Sequence, residues 1–566
     1  MLVETQYKGK KLVVSYVDES GEIKLKYYNW DNPMKYVTCD DNDNQKHPEY
    51  KSWDGKSVKQ IEVNYPDRYA TYEFLDSLPE KEKEEIFKFN TPKIYFIDIE
   101  TEIVDGFPEA ADVFDKDGTL TKEGAATRVL SISIVYEDKI ILLGLRDMPQ
   151  DMQDRIKNNT NNYFGKSGDD SYKFKYVKYD DEFDMLHAFF HKMVPKMPLL
   201  TGWNFLKYDW LYLVNRSRKI TKMVNGREYR IDPSVSSLTK RLSKQWGAEY
   251  ELPSHRMIFD YMQLYEIADT SIKVKESSSL SFVADKLVGV DKIKYVNSIF
   301  KLNQDSTING IDFKKDEICR KDEVGYYMYS GIDRIDLSDP EFNSHKDLFR
   351  EVNVSNLQTL YEEDFEIYMY YNAVDSVLVQ KIHESRNYIS IIFAISSLAQ
   401  IRIVDVVSQM NNALASLAIT EGVLRNRFRK QDNIVLFKED KGDAESTIAG
   451  GWVKDPVVGL NQWVVCYDFA SLYPTTQRQF FISPENFVGI QDKSDTSKCS
   501  NGREIDKENH VVCINGSVFV KRLSPTLQML EDVYADRKKN KKIMMEKKEE
   551  LNDILLEISK LESELV

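Results

Sequence analysis

The sequence predicts a protein of several domains with mixed α/β and α+β architecture. Its 566 residues correspond to roughly three to five domains of ordinary size. Strand-like and helix-like segments mix between about residues 90 and 380, as in an α/β domain, whereas residues 525–566 predict a long charged helix or helix pair. With 42% hydrophobic and 30% charged residues, the composition excludes a chain that is disordered throughout.

Residues 1–90 predict a small β-rich domain. Short strands are expected at Lys11–Tyr16 and Glu22–Trp30, with the turn sequence Asp18-Glu-Ser-Gly21 between them. A charged helix is expected from about Pro79 to Phe89. A dense, mostly apolar strand is then expected at Lys93–Thr101, where the mixed region begins.

The second half of the chain predicts three further kinds of segment. Residues 385–430 favour helices, since the apolar stretch 390–419 contains neither Pro nor Gly. A strand is predicted at Trp463–Asp468, and a turn-rich stretch at 484–524. The terminal helix carries apolar residues at helical spacing: Leu551, Ile554, Leu555, Ile558, Leu561 and Leu565.

The net charge of −15 does not exclude a nucleic acid partner, because local charge distribution decides such binding. An enzyme that holds divalent metals with carboxylates can be acidic overall and still line a groove with Lys and Arg. No apolar run approaches a membrane span, and the start has no signal-peptide pattern. The five scattered cysteines form no C-x-x-C pair, which argues against a zinc ribbon or disulfide scaffold and predicts a reducing cytosolic location.

Two carboxylates share one face of the strand predicted at Lys93–Thr101. Side chains on a strand alternate between faces, so Asp98 and Glu100 lie side by side. Two like charges on an otherwise apolar strand repel each other unless a cation neutralises them. The alternative is an edge strand with a solvated acidic face.

Two later segments add further carboxylates. Gly202 ends a strand, Asn204 is a suitable N-cap, and the helix predicted to follow carries Asp209 among apolar residues. On a later helix Tyr371 and Asp375 are separated by four residues and therefore share a face. Each segment taken alone is equally compatible with a solvent-facing acid.

Taken in order, the three segments resemble the motifs of DEDD-type 3′→5′ proofreading exonucleases. The patterns are D-x-E on a strand, N-x-x-x-Y-D on a helix, and Y-x-x-x-D on a later helix. The resemblance implies a ribonuclease H-like fold and two bound Mg²⁺ or Mn²⁺ ions. It also implies a tyrosine, Tyr371, that orients the attacking water. The metal ligands that it implies are Asp98, Glu100, Asp209 and Asp375.

A second motif follows the strand predicted at Trp463–Asp468. The sequence D-x-x-S-L-Y-P, from Asp468 to Pro474, matches palm motif A of family B DNA polymerases. The chain is most similar to the replicative polymerases of T-even-type bacteriophages, which implies the cytoplasm of an infected bacterial cell as its location. The segments that carry this closer resemblance are Asp105-Gly-Phe-Pro-Glu109, Phe259–Tyr265, Ser279–Ser281, Gly450–Pro456 and Ile482–Glu485.

The resemblance implies a role for each residue of this motif. Asp468 would bind the catalytic metals together with the Phe469 carbonyl. The backbone N–H groups of Ser471, Leu472 and Tyr473 would hold the incoming triphosphate, and the Tyr473 ring would exclude a ribose 2′-hydroxyl. In the terminal helix, predicted as the start of the fingers, the basic residues expected to grip the triphosphate are Arg537 and Lys541.

Two motifs of the polymerase family are absent from these 566 residues: K-x-x-x-N-S-x-Y-G of the fingers and D-T-D-S of the palm. The second supplies the other metal-binding carboxylate, so we expect no DNA synthesis by this chain alone. The sequence therefore indicates the N-terminal subunit of a split polymerase or a shortened form of one. The expected partners are primer–template and single-stranded DNA, dNTPs, a C-terminal polymerase chain and a sliding clamp.

Two other interpretations remain open: a stand-alone exonuclease with a vestigial palm, and a non-catalytic nucleic-acid-binding subunit. The intact carboxylate set argues against the second, and the intact palm motif argues against the first. The predicted domains are a β-rich domain (1–90), the exonuclease domain (91–385), a helical segment that returns to the N-terminal domain (386–440), a partial palm (441–523) and the start of the fingers (524–566).

Overall fold

A computed structural model gives the fold. It describes residues 1–39, 50–52, 56–104, 106–244, 249–269, 276–294, 297–407, 420, 422–425, 434–435, 454–455, 457–469 and 471–565. These residues form two compact units. The first unit comprises Met1–Asn29, Pro79–Ser397 and Ile401–Ala415, and the second comprises Trp30–Leu78, Leu398–Gln400 and Ser416–Val566. Residues 1–90 are thus shared between the units, and the domain boundaries given above stay predictions.

The strands and helices are numbered in chain order. The strands are β1 (Leu2–Lys8), β2 (Lys11–Val17), β3 (Ile23–Asn29), β4 (Met34–Thr38), β5 (Lys51–Ser52), β6 (Val58–Glu62), β7 (Ile94–Thr101), β8 (Val113–Phe114), β9 (Leu120–Lys122), β10 (Val129–Tyr136), β11 (Lys139–Gly144), β12 (Lys173–Lys178), β13 (Leu199–Gly202), β14 (Thr221–Val224), β15 (Arg227–Arg230), β16 (Leu242–Lys244), β17 (Glu251–Pro253), β18 (Met257–Asp260), β19 (Ser298–Leu302), β20 (Ser306–Ile308), β21 (Ile311–Phe313), β22 (Ile318–Lys321), β23 (Tyr326–Ser330), β24 (Asp333–Leu337), β25 (Phe349–Asn353), β26 (Ile434–Val435), β27 (Phe487–Ile490), β28 (His510–Val512) and β29 (Ser517–Val520). The helices are α1 (Arg68–Asp76), α2 (Glu80–Phe87), α3 (Gln150–Tyr163), α4 (Glu182–Ala188), α5 (Asp209–Lys219), α6 (Tyr261–Ala268), α7 (Leu280–Val288), α8 (Asp339–Ser344), α9 (Leu357–Glu363), α10 (Phe365–Arg386), α11 (Tyr388–Ala399), α12 (Ile403–Val407), α13 (Leu472–Gln479) and α14 (Pro525–Leu565).

The first unit begins with an antiparallel sheet in the order β1-β2-β3, which confirms the β-rich N-terminus. Helix α2 buries Ile86 and Phe87. It is tied to the sheet by polar contacts, in which Lys26 pairs with Glu85 at 2.6 Å. The predicted strands, turn and charged helix of this region therefore all form, because the alternating strand residues and the charged helix each have an apolar side to bury.

A six-stranded mixed sheet forms the centre of the first unit, in the order β12-β11-β10-β7-β13-β18. Strand β10 is antiparallel to β11 and β7, whereas β12, β13 and β18 run parallel to their neighbours. All but the last residue of β10 are buried, so both faces of the sheet are covered. The predicted α/β architecture is confirmed. Strand β7 pairs on both sides, and the alternative of an acidic edge strand is therefore wrong.

The chain between β13 and α5 differs from the prediction. Helix α5 begins at Asp209, and Asn204 does not cap it. Asn204 adopts a left-handed conformation, with φ of 58°, inside a run of turns. An ideal Cβ on Gly202 would lie 2.3 Å from the Ile97 carbonyl oxygen. This close approach to β7 leaves no room for a side chain at position 202.

A separate five-stranded sheet lies between α7 and α9 along the chain. We call the strands β24-β23-β22-β19-β25 the accessory sheet. It has its own hydrophobic core, in which Leu302, Met328 and Phe342 are buried, and α8 follows its strand β24. The sequence reading assigned this region to the exonuclease domain without separating it.

The helical segment predicted at 385–430 is interrupted where the structure describes it. Helices α10 and α11 meet at Asn387, with φ of 47°, and α11 ends before Gln400, with φ of 50°. Left-handed residues end helices, and Asn is the commonest residue there after Gly. Helix α12 follows, and the greater part of 408–433 lies outside the described residues. The predicted Gly450–Gly451 punctuation also lies outside them.

The second unit contains two small antiparallel sheets, β4-β6 and β27-β29-β28, and the parallel pair β26-β5. Helix α1 is capped by Asp67, whose side chain accepts a hydrogen bond from the Ala70 amide at 2.8 Å. The long helix α14 confirms the helix predicted from residue 525. Its start packs against α13, since the Arg478 guanidinium lies 5.3 Å from the Tyr534 ring centroid. Residues 535–561 are exposed.

The strand predicted at Trp463–Asp468 is wrong for this structure. Residues 464–469 form no strand, and Val464 and Val465 are exposed. A strand requires a neighbour for its N–H and C=O groups, and none of the described strands pairs with this segment. No helix in the described part of the chain is long and apolar enough to span a membrane.

We expect Gly202→Ala to destabilise the first unit by about 1–3 kcal/mol, because the new methyl group would press on the backbone of β7. Equilibrium unfolding in urea measures this loss. The matched control is Gly144→Ala at the end of β11, where the nearest atom is the hydroxyl of the Tyr176 side chain at 2.5 Å. The Tyr176 ring would have to move and weaken its hydrogen bond to the Arg146 carbonyl, but no backbone atom is displaced, so the control should lose less stability. Equal unfolding midpoints for Gly202→Ala and wild type would contradict the close packing.

Candidate active site

The central strand β7 places two carboxylates inside the first unit. Asp98 lies opposite Ser133 and Glu100 opposite Ser131 on β10. Glu100 is 9% exposed, so a charge on it has little water to solvate it. The pair predicted to share a strand face does so, and it faces the interior.

Helix α5 brings Asp209 to the same strand. Asp209 is the first residue of the helix and is 4% exposed. Its Oδ1 accepts a hydrogen bond from the Ile99 amide at 3.1 Å. The pairing of β13 with β7 ends at Thr201 and Phe96. The Ile99 amide lies beyond the paired part of β7, and the Asp209 carboxylate accepts its hydrogen bond.

Helix α10 supplies the third segment. Asp375 is 3% exposed, and one carboxylate oxygen each from Asp98, Glu100 and Asp375 lie within 4.8 Å of one another. In the described part of the chain this is the one group of three or more acidic, His or Cys side chains close enough to hold a metal ion. Asp209 lies beside this group through its bond to β7 but is not within that spacing.

Asn372, one turn before Asp375, ties α10 to the central sheet. Its Nδ2 donates to Asp98 Oδ2 at 2.8 Å, and its Oδ1 accepts from Ser131 Oγ at 3.0 Å. The amide thus fixes one oxygen of Asp98 and the rotation of the helix. Asn372 is not among the predicted site residues, although its place next to Tyr371 in the third motif could have indicated a role in the site.

Lys292, in the segment between α7 and the accessory sheet, enters the acidic cluster. Its ammonium pairs with Asp375 and donates a hydrogen bond to the Tyr371 hydroxyl at 3.0 Å. The sequence analysis did not identify this residue, because it lies 79 residues before Tyr371 and in no motif. One ammonium offsets part of the negative charge of the four carboxylates.

The carboxylates are perturbed in the direction expected for buried like charges. Burial, reinforced by the charge of Asp375, raises the pKa of Asp98 to about 7. Burial and then Asp98 raise the pKa values of Glu100 and Asp209 well above the ordinary range. Burial also raises the pKa of Asp375, against the opposing effect of Lys292.

The residues present fit a hard divalent cation. Asp375 Oδ1 is buried and has no hydrogen-bond partner among the described residues, so it is available as a ligand. An all-oxygen donor set with more than one carboxylate suits Mg²⁺ or Mn²⁺. Asn372 and Lys292 bind oxygens of Asp98 and Asp375 and so orient these carboxylates, as the hydrogen-bond partners of metal ligands commonly do.

The second motif has a different environment. Asp468 and Phe469 lie in an exposed segment, and Phe469 is 76% exposed. Ser471 has a left-handed backbone with φ of 53° and precedes α13, which begins at Leu472. The helix start predicted near Ser471 therefore forms. Tyr473 is 76% exposed on the first turn.

The two basic residues selected in the terminal helix, Arg537 and Lys541, are one turn apart on an exposed stretch of α14. Among the described residues they form no hydrogen bond or ion pair with Asp468. The structure thus assembles the exonuclease-type carboxylates into one cluster, and it leaves the polymerase-type residues separate and open to solvent.

Comparison with known proteins finds two family matches, one over the segments of Asp98 and Asp209 and one over the segment of Asp468. The family description "DNA polymerase family B, exonuclease domain" matches residues 56–283, and "DNA polymerase family B" matches residues 413–562. The first range contains Asp98, Glu100 and Asp209, and the second contains Asp468. Tyr371 and Asp375 lie between the two matched ranges.

Two curated relatives are DNA-directed DNA polymerases of phages. The DNA-directed DNA polymerase of Escherichia phage RB69 is 21% identical over 319 residues, which is 56% of this chain and 28% of the relative. The DNA-directed DNA polymerase of Enterobacteria phage T4 is 23% identical over 320 residues, 56% of this chain and 27% of the relative. The aligned part of the chain therefore spans less than a third of the length of either relative.

The raised pKa of Asp98 predicts how pH changes the stability of the metal-free protein. An ordinary Asp has a pKa of 3.8, and this one has a pKa of about 7. The folded state therefore binds this proton more tightly than the unfolded state, and stability falls as pH rises from about 4 to about 7. Asp98→Asn carries no charge, so at pH 8 it should be more stable than wild type by about 1–3 kcal/mol.

Urea unfolding with EDTA at several pH values measures this difference, which should vanish near pH 4. The control Asp117→Asn changes an exposed carboxylate in the turn between β8 and β9 and should follow the wild-type curve. If the free energies of unfolding of Asp98→Asn and wild type changed equally with pH, the raised pKa of Asp98 would be contradicted.

Proposed function

Because the chain belongs to the family B DNA polymerases, we propose that its first unit is a 3′→5′ exonuclease that removes nucleotides from DNA ends with divalent metal ions. One observation carries the proposal: carboxylates from β7 and α10, one half-buried and two buried, converge within 4.8 Å. Such a cluster is unfavourable unless cations neutralise it. The chemistry that suits it is hydrolysis of a phosphodiester, itself an anionic substrate.

Four carboxylates would hold the metal ions: Asp98, Glu100, Asp209 and Asp375. Two bound Mg²⁺ or Mn²⁺ ions would supply Lewis-acid stabilisation of the attacking and leaving oxygens. Asp98 comes from β7 and Asp375 from α10, so side chains of two different elements would hold the ions. Asn372 holds Asp98 in one orientation at 2.8 Å, which spares a reorganisation of that ligand during the reaction.

Tyr371 and Lys292 serve the nucleophile and the charge of the substrate. We assign to the Tyr371 hydroxyl the orientation of the attacking water. Burial raises the pKa of Tyr371 above its ordinary value, so the hydroxyl keeps its proton and can donate it in a hydrogen bond. Lys292, 3.0 Å from that hydroxyl, fixes its position and adds a positive charge near the scissile phosphate.

The second unit is proposed as part of a DNA polymerase site. Asp468 and the Phe469 carbonyl would bind metal. Backbone N–H groups from Ser471 to Tyr473 would hold phosphate oxygens at the start of α13, and the exposed Tyr473 ring would exclude ribonucleotides. Arg537 and Lys541 would contact the triphosphate, since guanidinium and ammonium groups are common phosphate ligands.

The remaining palm carboxylate, fingers and thumb are proposed to come from a C-terminal partner chain. The motifs K-x-x-x-N-S-x-Y-G and D-T-D-S do not occur in these 566 residues. The exposed segment at 464–469 and the exposed apolar residues of α14, such as Leu551 and Leu555, support docking of further polymerase elements there. The complete assembly would act on primer–template DNA with dNTPs and a sliding clamp, in the cytoplasm of an infected bacterium.

The alternatives differ in what they predict for catalysis. A stand-alone exonuclease would degrade DNA and would never synthesise it, with any partner. A non-catalytic nucleic-acid-binding subunit would bind DNA without degrading it, and the buried cluster around Asp98 and Asp375 would be unexplained. The exonuclease assay and the extension assay below separate the three possibilities.

We expect the purified chain with Mg²⁺ to shorten 5′-labelled single-stranded DNA stepwise from its 3′ end. Asp98→Asn and Asp375→Asn should lower the rate by roughly 10³-fold or more, because each removes a metal ligand. Tyr371→Phe should lower it by about 10-fold or more, since a positioned hydroxyl is lost. Gel electrophoresis of the labelled products measures the rates.

Asp117→Asn, a carboxylate outside the cluster, is the control and should cleave at the wild-type rate. If Asp98→Ala/Glu100→Ala degraded DNA as fast as wild type, these carboxylates would not be the metal ligands. Release of nucleotides from the 5′ end would contradict the assigned direction.

For the second unit we expect no primer extension by the 566-residue chain alone. Mixing with a chain that carries the two missing motifs should start template-directed extension, because the second palm carboxylate completes the metal site. Asp468→Asn should abolish this extension, and the exposed control Glu508→Gln should not. Extension by the isolated chain, measured with a labelled primer, would contradict the bipartite polymerase.

A further inference from the structure

The accessory sheet contacts the start of α10, the helix that carries Tyr371, Asn372 and Asp375. Arg320 on β22 makes two parallel hydrogen bonds to Asp364, with Nε–Oδ2 and Nη2–Oδ1 distances of 2.7 Å each. The Arg320 side chain is 6% exposed and that of Asp364 is 1% exposed. Asp364 is also the N-cap of α10, since its Oδ1 accepts from the Ile367 amide at 3.3 Å.

A second arginine holds the next acidic residue of the helix. Arg155 on α3 forms two hydrogen bonds to Glu366, at 3.0 and 2.9 Å. It also pairs with Asp151 at 2.7 Å. The Tyr329 ring of the accessory sheet lies between the arginines, with its centroid 5.0 Å from the Arg155 guanidinium and 5.9 Å from that of Arg320.

One more pair joins the sheet to the same junction. Lys301 on β19 contacts Glu363, the last residue of α9, at 2.7 Å. Three acidic residues at the junction of α9 and α10 (Glu363, Asp364 and Glu366) are therefore each held by a cation from a neighbouring element. The accessory sheet supplies two of the three cations.

We propose that Arg320 is a positioning residue, which sets the axial position of α10 and thereby the spacing of the metal-binding carboxylates. The inference rests on the proposed exonuclease function. Asp375 lies eleven residues after Asp364, about 16 Å along the helix axis. An α-helix is stiff over this distance, so a shift at its first turn is carried to Asp375.

The contact between Arg320 and Asp364 defines the position of α10 more than it adds to the stability of the fold. A buried ion pair gains little net free energy, because desolvation of both charges offsets their attraction. What a bidentate Arg–carboxylate pair does provide is a defined geometry. A metal site needs ligands in defined positions, since ligand displacements of about 0.5 Å already weaken metal binding.

The segment that carries Lys292 reinforces the assignment. It connects α7 to β19, the strand of the accessory sheet that also carries Lys301. The accessory sheet therefore holds the start of α10 through Arg320, and it follows in sequence the segment from which Lys292 contacts Asp375 and Tyr371.

The test compares Arg320→Met and Arg320→Lys with Arg334→Met. Arg334 is in the same sheet and pairs with Asp322 and Asp336, both also in the sheet region, and in the described part of the chain it forms no ion pair with α10. Mn²⁺ binding to the metal-free protein, followed by electron paramagnetic resonance, is the first readout. The Mg²⁺ concentration for half-maximal exonuclease rate and the KM for single-stranded DNA are the second.

We expect Arg320→Met to weaken Mn²⁺ binding at least tenfold and to raise the half-maximal Mg²⁺ concentration to a similar extent, with the KM for DNA changed less than twofold. Arg320→Lys keeps the positive charge but cannot form two parallel hydrogen bonds to Asp364. It should therefore restore part of the Mn²⁺ affinity that is lost in Arg320→Met. Arg334→Met should match wild type in every readout.

Arg320→Met leaves Asp364 buried without its partner and can impair folding, so the double variant Arg320→Met/Asp364→Asn is included. Asn also caps helices well, and the double variant contains no unpaired charge from this couple. It should fold, as judged by cooperative thermal unfolding, and still bind Mn²⁺ weakly. Wild-type Mn²⁺ affinity in any folded Arg320 variant would overturn the inference.

The two proposals fail separately. If the wild-type chain binds Mn²⁺ but degrades no DNA, the exonuclease function is wrong, whereas the positioning role of Arg320 is still decided by the Mn²⁺ titrations. If the wild type degrades DNA and the Arg320 variants keep the same metal dependence, the positioning role alone is wrong.

Discussion

Like charges gathered inside a protein are the constraint on which the first unit depends. One carboxylate oxygen each of Asp98, Glu100 and Asp375 lie within 4.8 Å of one another, with Asp98 half-buried and the other two buried, and Asp209 at the start of α5 accepts a hydrogen bond from the backbone of β7. Burial and neighbouring carboxylates raise the pKa values of Asp98, Glu100 and Asp209, and burial raises that of Asp375. Carboxylates in this arrangement are strained without cations, and the surrounding fold must hold them together against that strain.

Three kinds of contact hold the cluster. The central position of β7 removes its acidic residues from any sheet edge. Asn372 and Lys292 bind individual carboxylates directly. Farther away, the bidentate contact of Arg320 with Asp364 anchors the start of α10. The carboxylates are therefore held by contacts from the central sheet, from α10 and from the accessory sheet.

The two units illustrate opposite ways of building a site. The exonuclease-type cluster is buried and complete within one unit, with its ligands fixed by helices and strands. The polymerase-type residues lie on an exposed segment and on exposed turns of α13 and α14. The segment at 464–469 has no strand partner among the described residues, and an isolated strand cannot satisfy its backbone groups.

The sequence by itself determined the local features: the alternation that pairs Asp98 with Glu100, the four-residue spacing of Tyr371 and Asp375, and the long helix from residue 525. Local periodicity predicts these because it depends on near neighbours in the chain. Tertiary structure alone decided the rest. Lys292, Asn372 and Arg320 act across separations that no periodicity records. Asn204 does not cap the helix because α5 begins only at Asp209, after a run of turns. The strand predicted at 463–468 has no partner among the described residues.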